Sequence, residues 1–197
     1  DEYGLDKELI TVAHDAADEP KKSNDSGLWR SERLQVGYVG HLYSGRGIEL
    51  IVEMAKRCGW ADFHVVGGTE REVGRWRDEL RDVQNVKIHG FVPPSEADKY
   101  RCACDVLLAP YQRNVAVQGG GDTSEWMSPL KIFEYMAAGK AIICSDLPVL
   151  REVLVNEKAA LLCEPAVPGC WAEALQRLRD DPDLRKRLGA EAWNEYR

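Results

Sequence analysis

A succession of short apolar runs, most of them apolar at nearly every position, constrains this chain more than any other feature. They are Leu9–His14, Leu34–Val39, Asp62–Val66, Val86–His89, Asp105–Ala109, Ala141–Ser145 and Ala159–Cys163. A strand with one wet face alternates apolar and polar residues, whereas a strand covered on both faces reads as a continuous run. Between the runs lie amphipathic stretches. Ile48, Ile51, Val52, Ala55 and Cys58 share one helical face, with Glu49, Glu53, Lys56 and Arg57 largely elsewhere. The pattern predicts further helices over Glu70–Val83 and over Pro94–Cys104, the latter entered through two prolines. Strands and helices alternating at this density specify an α/β fold, a doubly wound and mostly parallel sheet with helices on both faces. The C-terminal part is helical. Trp171, Leu175 and Leu178 recur at helical spacing, then Asp181 and Pro182 supply an N-cap and first-turn proline for a last helix striped by Leu184, Leu188 and Ala192.

With 197 residues the chain is long enough for one well-buried core, and 44% hydrophobic with 30% charged residues is ordinary for a soluble globular domain. Its 33 acidic against 26 basic residues, a net charge of -7, argue against a nucleic-acid partner bound through phosphate neutralisation. No apolar run approaches the roughly 20 residues of a membrane-spanning helix, and no secretory-type sequence opens the chain. Of the six cysteines, most sit in apolar stretches, where the residue behaves as a small hydrophobe. Cys102-Ala103-Cys104 lacks zinc-knuckle spacing and a matching second pair. Buried reduced thiols and a cytoplasmic setting are expected, with no metal site.

Two segments depart from the alternation. Asp18–Arg33 is rich in Lys, Asp, Ser and Glu and reads as a linker, so residues 1–33 are expected to be an entering strand and linker and 34–197 the folded domain. Arg113–Met127, with Gly119-Gly120-Gly121, follows a strand directly. Ligands of open α/β sheets bind beyond the carboxyl ends of strands, so this reads as an active-site loop.

Two constellations carry chemistry. The first, Gly40-His41-Leu42-Tyr43-Ser44-Gly45-Arg46-Gly47, joins a strand to a helix. Glycines let the backbone approach an anion, the following helix offers unpaired N–H groups, and Arg46 adds a fork suited to phosphate oxygens. A nucleoside-triphosphate P-loop is excluded because Arg46 stands where its lysine should be and Gly47 where its hydroxyl should be. A dinucleotide fingerprint is excluded because this turn lacks Gly-x-Gly-x-x-Gly. The second constellation runs from Ser128 to Lys140, with Ser128 as N-cap, Pro129 in the first turn and Gly139 as the stop. Leu130, Phe133 and Ala137 are expected to face the core, while Lys131 and Glu134 lie side by side on another face. A cation in the first turn opposes the helix dipole, a placement that makes sense if a di-anion docks there.

Together these segments resemble the C-terminal, nucleotide-sugar-binding domain of retaining glycosyltransferases of GT-B type, the group one family. The carriers are Tyr38-Val39-Gly40-His41-Leu42 with Gly45-Arg46-Gly47, His89-Gly90-Phe91-Val92-Pro93, Ala109-Pro110-Tyr111, and Ser128 to Gly139 followed by Ala141-Ile142-Ile143-Cys144-Ser145-Asp146-Leu147-Pro148. The resemblance implies a Rossmann-like domain, the C-terminal half of a GT-B fold, that takes a nucleoside-diphosphate sugar as donor substrate and needs neither cofactor nor metal. It implies catalytic roles for Arg46 and Lys131 at the donor diphosphate and for Glu134 at the ribose. Gly40, His41 and Leu130 fall with the phosphate cradle, Phe91 and Val92 with the base, and Ser128 with the substrate-binding residues. Many members carry arginine where His41 stands. A family glutamate eight positions before the second falls here on Trp126, so either the loop shifts to bring Glu125 to the sugar or another residue of Asp122–Ser128 serves, with Trp126 packing as a lid or stacking on the sugar.

The acceptor-binding domain of such enzymes is the further partner implied. It would precede this one, and would carry any peripheral association with the inner face of a membrane. The chain without it is expected to bind nucleotide and transfer nothing. Two other readings share the architecture: a nucleotide-sugar 2-epimerase of GT-B shape, and a non-catalytic α/β module that docks a partner near Trp126.

Overall fold

The computed structural model describes residues 16–20, 28–29, 31–114 and 129–197. The strand expected at Leu9–His14, the triple glycine, Glu125, Trp126 and Ser128 lie outside the described residues. In chain order the elements are β1 (Leu34–Val39), α1 (Ile48–Arg57), β2 (Ala61–Val66), α2 (Glu70–Glu79), β3 (Val86–Gly90), α3 (Pro94–Ala103), β4 (Val106–Ala109), α4 (Leu130–Ala137), β5 (Ala141–Ser145), α5 (Pro148–Arg151), β6 (Leu161–Cys163), α6 (Pro168–Asp180) and α7 (Pro182–Tyr196).

The strands form one six-stranded sheet in the order β3-β2-β1-β4-β5-β6, with every pairing parallel. Strand side chains divide between two cores. In β4, Val106 and Leu108 join α1 and α6 on one face, and Leu107 and Ala109 join α3 and α4 on the other. In β5, Ala141 and Ile143 alternate with Ile142 and Cys144 in the same way. Both faces are therefore covered, which is why the sequence runs were continuously apolar.

Local chemistry accounts for most element ends. Thr69 caps α2 in a reciprocal box with Glu72. Asp181 Oδ1 accepts from the Leu184 amide at 2.8 Å to open α7. Gly139 follows α4 at φ 62°, a left-handed conformation that favours glycine. Gly47 precedes α1 at φ 81°, and a Cβ there would stand 1.9 Å from the Pro110 carbonyl oxygen, so only glycine fits.

Three expectations need correction. Helix α2 stops at Glu79 rather than Val83, because Leu80 and Val83 turn back on each other, the Val83 amide donating to the Leu80 carbonyl at 2.8 Å. Helix α4 begins at Leu130, and Pro129, with ψ 55°, is its non-helical flank rather than its first turn. Leu130 is 53% exposed rather than in the core, whose share of α4 comes from Ile132, Phe133, Tyr135, Met136 and Ala137. All six cysteines are free, with Cys102 and Cys170 only half-buried.

The strand order reverses between β1 and β4: from β1 the chain steps outward to β2 and β3, then returns to β4 and continues to β6. Loops leaving neighbouring strands on opposite sides of such a point open a crevice at the carboxyl ends. The loops after β1 and β4 meet there, the Gln112 amide donating to the Gly45 carbonyl at 2.8 Å.

Candidate functional site

A cleft of about 390 Å³ opens at this crevice. Its walls include Gly40, His41 and Arg46 from the loop after β1, Phe91 and Val92 from the loop after β3, Arg101 from α3, and Leu130, Lys131 and Glu134 from α4. All the described residues expected at a site therefore converge on one cleft. Glu125 and Ser128, the remaining candidates, lie outside the described residues.

Helix α4 is held in register by a residue that sequence reasoning overlooked. Sheet pairing between β1 and β4 ends at Gly37 opposite Leu107, and beyond it the Tyr135 hydroxyl takes over. That oxygen accepts from the Val39 amide at 2.8 Å and donates to the Val39 carbonyl at 3.3 Å. Lys131 lies one turn before Tyr135 and so arrives above the end of β1. A Cβ on Gly40 would come within 2.7 Å of Lys131 Cε and 2.8 Å of Nζ. The glycine makes room for the lysine.

The cations share an aromatic floor. Lys131 Nζ sits 3.9 Å from the Tyr38 ring centre and 5.1 Å from that of Tyr111, and Arg46 Cζ lies 5.4 Å from the same Tyr111 ring. Burial pushes the Tyr111 hydroxyl up to about 12, with Arg46 pulling the other way, so the floor stays neutral. Burial, reinforced by the Arg46 charge and only partly offset by Glu134, holds Lys131 well below the ordinary lysine value. The empty cleft therefore disfavours the charged form of Lys131, and an anion bound there would favour it. The amides of Leu130 and Lys131 open α4 without intrahelical acceptors and add their dipoles at the same point.

Glu134, beside Lys131 on α4, pairs with α3. Its Oε2 lies 2.7 Å from Nη2 of Arg101, whose side chain is only 8% exposed. Arg101 went unnoticed because its neighbours, Lys99-Tyr100-Arg101, read as the polar face of a helix. Phe91, 75% exposed, and Leu130, 53% exposed, also line the cleft.

His64 and His89 lie away from the cleft's chemistry, on the α3 side of the sheet. Gln35 donates to the Arg33 carbonyl at 2.6 Å, leaving its amide oxygen to accept from His64 Nε2 at 2.8 Å, and His64 Nδ1 meets His89 Nε2 at 3.2 Å. Trp29 stacks on His64 at 3.7 Å. These histidines serve the fold, while His14 is outside the described residues.

Among the described residues, no group of three or more His, Cys, Asp or Glu side chains is placed to hold a metal ion. No helix among them is long and apolar enough to cross a membrane. A second cleft, about 560 Å³, lies across the Gly45 turn between Ser44, Glu49, Gln112 and Pro168, but neither Lys131 nor Glu134 reaches it.

The parallel sheet and its reversal, with the cleft at that reversal, define a doubly wound α/β domain. The family model described as glycosyl transferases group 1 matches residues 33–181, and the chain belongs to that family. A relative from Bacillus subtilis (strain 168), described as a teichuronic acid biosynthesis glycosyltransferase, TuaH, is 28% identical over 148 residues. That match covers 75% of this chain and 34% of TuaH, so the chain spans about a third of that relative's length.

Solved structures agree on the fold. HepE of Anabaena in complex with UDP-glucose superposes with a TM-score of 0.76 at 16% identity, covering 99% of this chain and 54% of that one. The C-terminal domain of LpcC, a group 1 family protein from Francisella tularensis, gives 0.66 at 18% identity over 82% of this chain and 83% of that one. The fold is that of the C-terminal half of GT-B glycosyltransferases.

Proposed function

We propose that this chain is the donor-binding part of a retaining glycosyltransferase that moves a sugar from a nucleoside-diphosphate sugar to a hydroxyl acceptor. The observation that carries this reading is the meeting of Arg46 and Lys131 on the Tyr111 ring at the floor of one cleft, with Glu134 one turn further along α4. In such a transfer the bond from the sugar's anomeric carbon to the diphosphate breaks, and its electron pair leaves with the diphosphate oxygen. Arg46, Lys131 and the opening amides of α4 stabilise that developing charge more than they stabilise the intact donor, which lowers the barrier. Glu134 accepts hydrogen bonds from the ribose hydroxyls, and Phe91 and Val92 pack against the base. Sugar recognition falls to Asp122–Ser128, with Glu125 a candidate contact.

The acceptor hydroxyl and the rest of the catalytic cleft belong, in this reading, to a second domain, so the chain by itself binds donor without transferring the sugar. No cofactor takes part, because the donor is a substrate and the charge on its leaving group is met by side chains. A cytoplasmic setting accords with six free thiols.

Calorimetric titration of UDP, GDP and ADP against the chain tests the assignment. Arg46→Ala and Glu134→Ala should each weaken the best of the three about tenfold or more, the loss expected for one charge-assisted hydrogen bond. Unchanged affinity in both variants removes it.

A further inference from the structure

We propose that Arg101 is a positioning residue: it fixes the Glu134 carboxylate so that the cleft selects ribonucleoside over 2′-deoxyribonucleoside diphosphates. The inference rests on the reading of Glu134 as the ribose acceptor and adds the device that makes that acceptor selective.

The guanidinium is clamped between two carboxylates. Nη2 meets Glu134 Oε2 at 2.7 Å, and Nη1 meets Asp98 Oδ1, one turn earlier on α3, also at 2.7 Å. The Arg101 side chain is 8% exposed, against 26% for Asp98 and 38% for Glu134. The charge therefore approaches Glu134 from the protein side and leaves the glutamate facing the cleft. Arg101 Nε is buried and has no acceptor. A fold seldom leaves a buried N–H unpaired, so the guanidinium's placement follows its two carboxylates rather than its own hydrogen-bond count.

A glutamate at the edge of a cleft would otherwise sample several rotamers, and ordering it would fall on the ligand. With Oε2 held, Oε1 has no protein partner among the described residues and remains an acceptor. Arginine can only donate, so it engages one glutamate oxygen as an acceptor and leaves the other to accept from a hydroxyl. A fixed acceptor at a vicinal diol distinguishes a sugar with a 2′-hydroxyl from one without it. The same carboxylate swinging freely would do so weakly. Lysine at position 101 would supply the charge without the fork that grips both acids.

The test compares the ratio of affinities for UDP and 2′-deoxy-UDP, measured by calorimetry on the chain. If GDP or ADP binds more tightly, that base and its deoxy form are used instead. The wild-type ratio is expected to be about 10 or more, one charge-assisted hydrogen bond, and Glu134→Ala should bring it near 1. Arg101→Leu should also bring it near 1 while changing affinity for the deoxy form less than about threefold. Arg101→Lys, which keeps the charge and guards against misfolding of the leucine variant, should lower the ratio at least about threefold. A wild-type ratio in either Arg101 variant, or an equal loss of both nucleotides, overturns the positioning role. A ratio that survives Glu134→Ala, or a wild-type protein that shows no preference or binds none of the nucleotides, overturns the underlying reading of Glu134 instead.

Discussion

Removing one oxygen tests how the fold builds the cleft. In Tyr135→Phe the ring keeps its place, but the Val39 amide loses its acceptor at 2.8 Å and the Val39 carbonyl loses a donor at 3.3 Å. Both partners are buried in the protein, Tyr135 at 0% exposure and Val39 at 7%. Stranding a buried amide costs about 1–3 kcal/mol, with the carbonyl's longer bond adding at most about 1. The expected loss is therefore about 1–4 kcal/mol, or a fall in Tm of roughly 2–16 °C for a domain of this size. Urea unfolding at constant m-value gives the first number and a thermal scan the second. Nucleotide affinity should fall as well, since α4 carries Lys131 and Glu134 and is no longer tied to β1. A variant within about 0.5 kcal/mol of wild type with unchanged nucleotide affinity would refute the idea that this hydroxyl sets the register of α4.

Two further outcomes follow from displaced ionisations. Because burial and Arg46 hold Lys131 well below its ordinary value, a bound diphosphate should raise it, so binding takes up protons at pH between the free and bound values. Calorimetry across a series of pH values above the phosphate's own titration at about pH 6, in buffers of different ionisation heat, should show uptake that disappears in Lys131→Met. Proton release in the wild type would contradict the account. His64 is lowered to about 4, chiefly by burial and then by the neighbouring His89 and Lys87, with Asp62 opposing. A folded-state value below the unfolded one means the unfolded chain binds the proton first. The full contribution is present above about pH 6.5 and is lost as the pH falls toward 4, at up to about 1.4 kcal/mol per pH unit. Urea midpoints at pH 7, 6 and 5 should fall more steeply for wild type than for His64→Gln; parallel curves would dismiss the effect.

The parallel sheet was legible because burial on both faces leaves a mark in every strand, as in Val106-Leu107-Leu108-Ala109. Glycines and cations of the cleft were legible because Gly40, Arg46 and Lys131 stand at ends of elements, where spacing alone fixes their position. Arg101 and Tyr135 were not. Each acts through a partner on a different element, Glu134 for the arginine and the Val39 backbone for the tyrosine, and no local pattern encodes such a pairing. The start of α4 was misjudged for a related reason: a proline compatible with a first turn is equally compatible with the flank, and its ψ of 55° is set by what surrounds it. Leu130 was assigned to the core with Phe133 and Ala137, yet it stands with Lys131 and Glu134 on the face of α4 that lines the cleft.

The central claim is that a nucleotide sugar seats its diphosphate between the loop after β1 and the start of α4. Amide chemical-shift mapping of the ¹⁵N-labelled chain during titration with UDP-glucose tests it most directly. The account predicts that the largest shifts fall at Gly40, Arg46, Phe91, Val92, Leu130, Lys131 and Glu134. Shifts confined to the other cleft, around Ser44, Glu49 and Gln112, or spread evenly over the sheet, would contradict it.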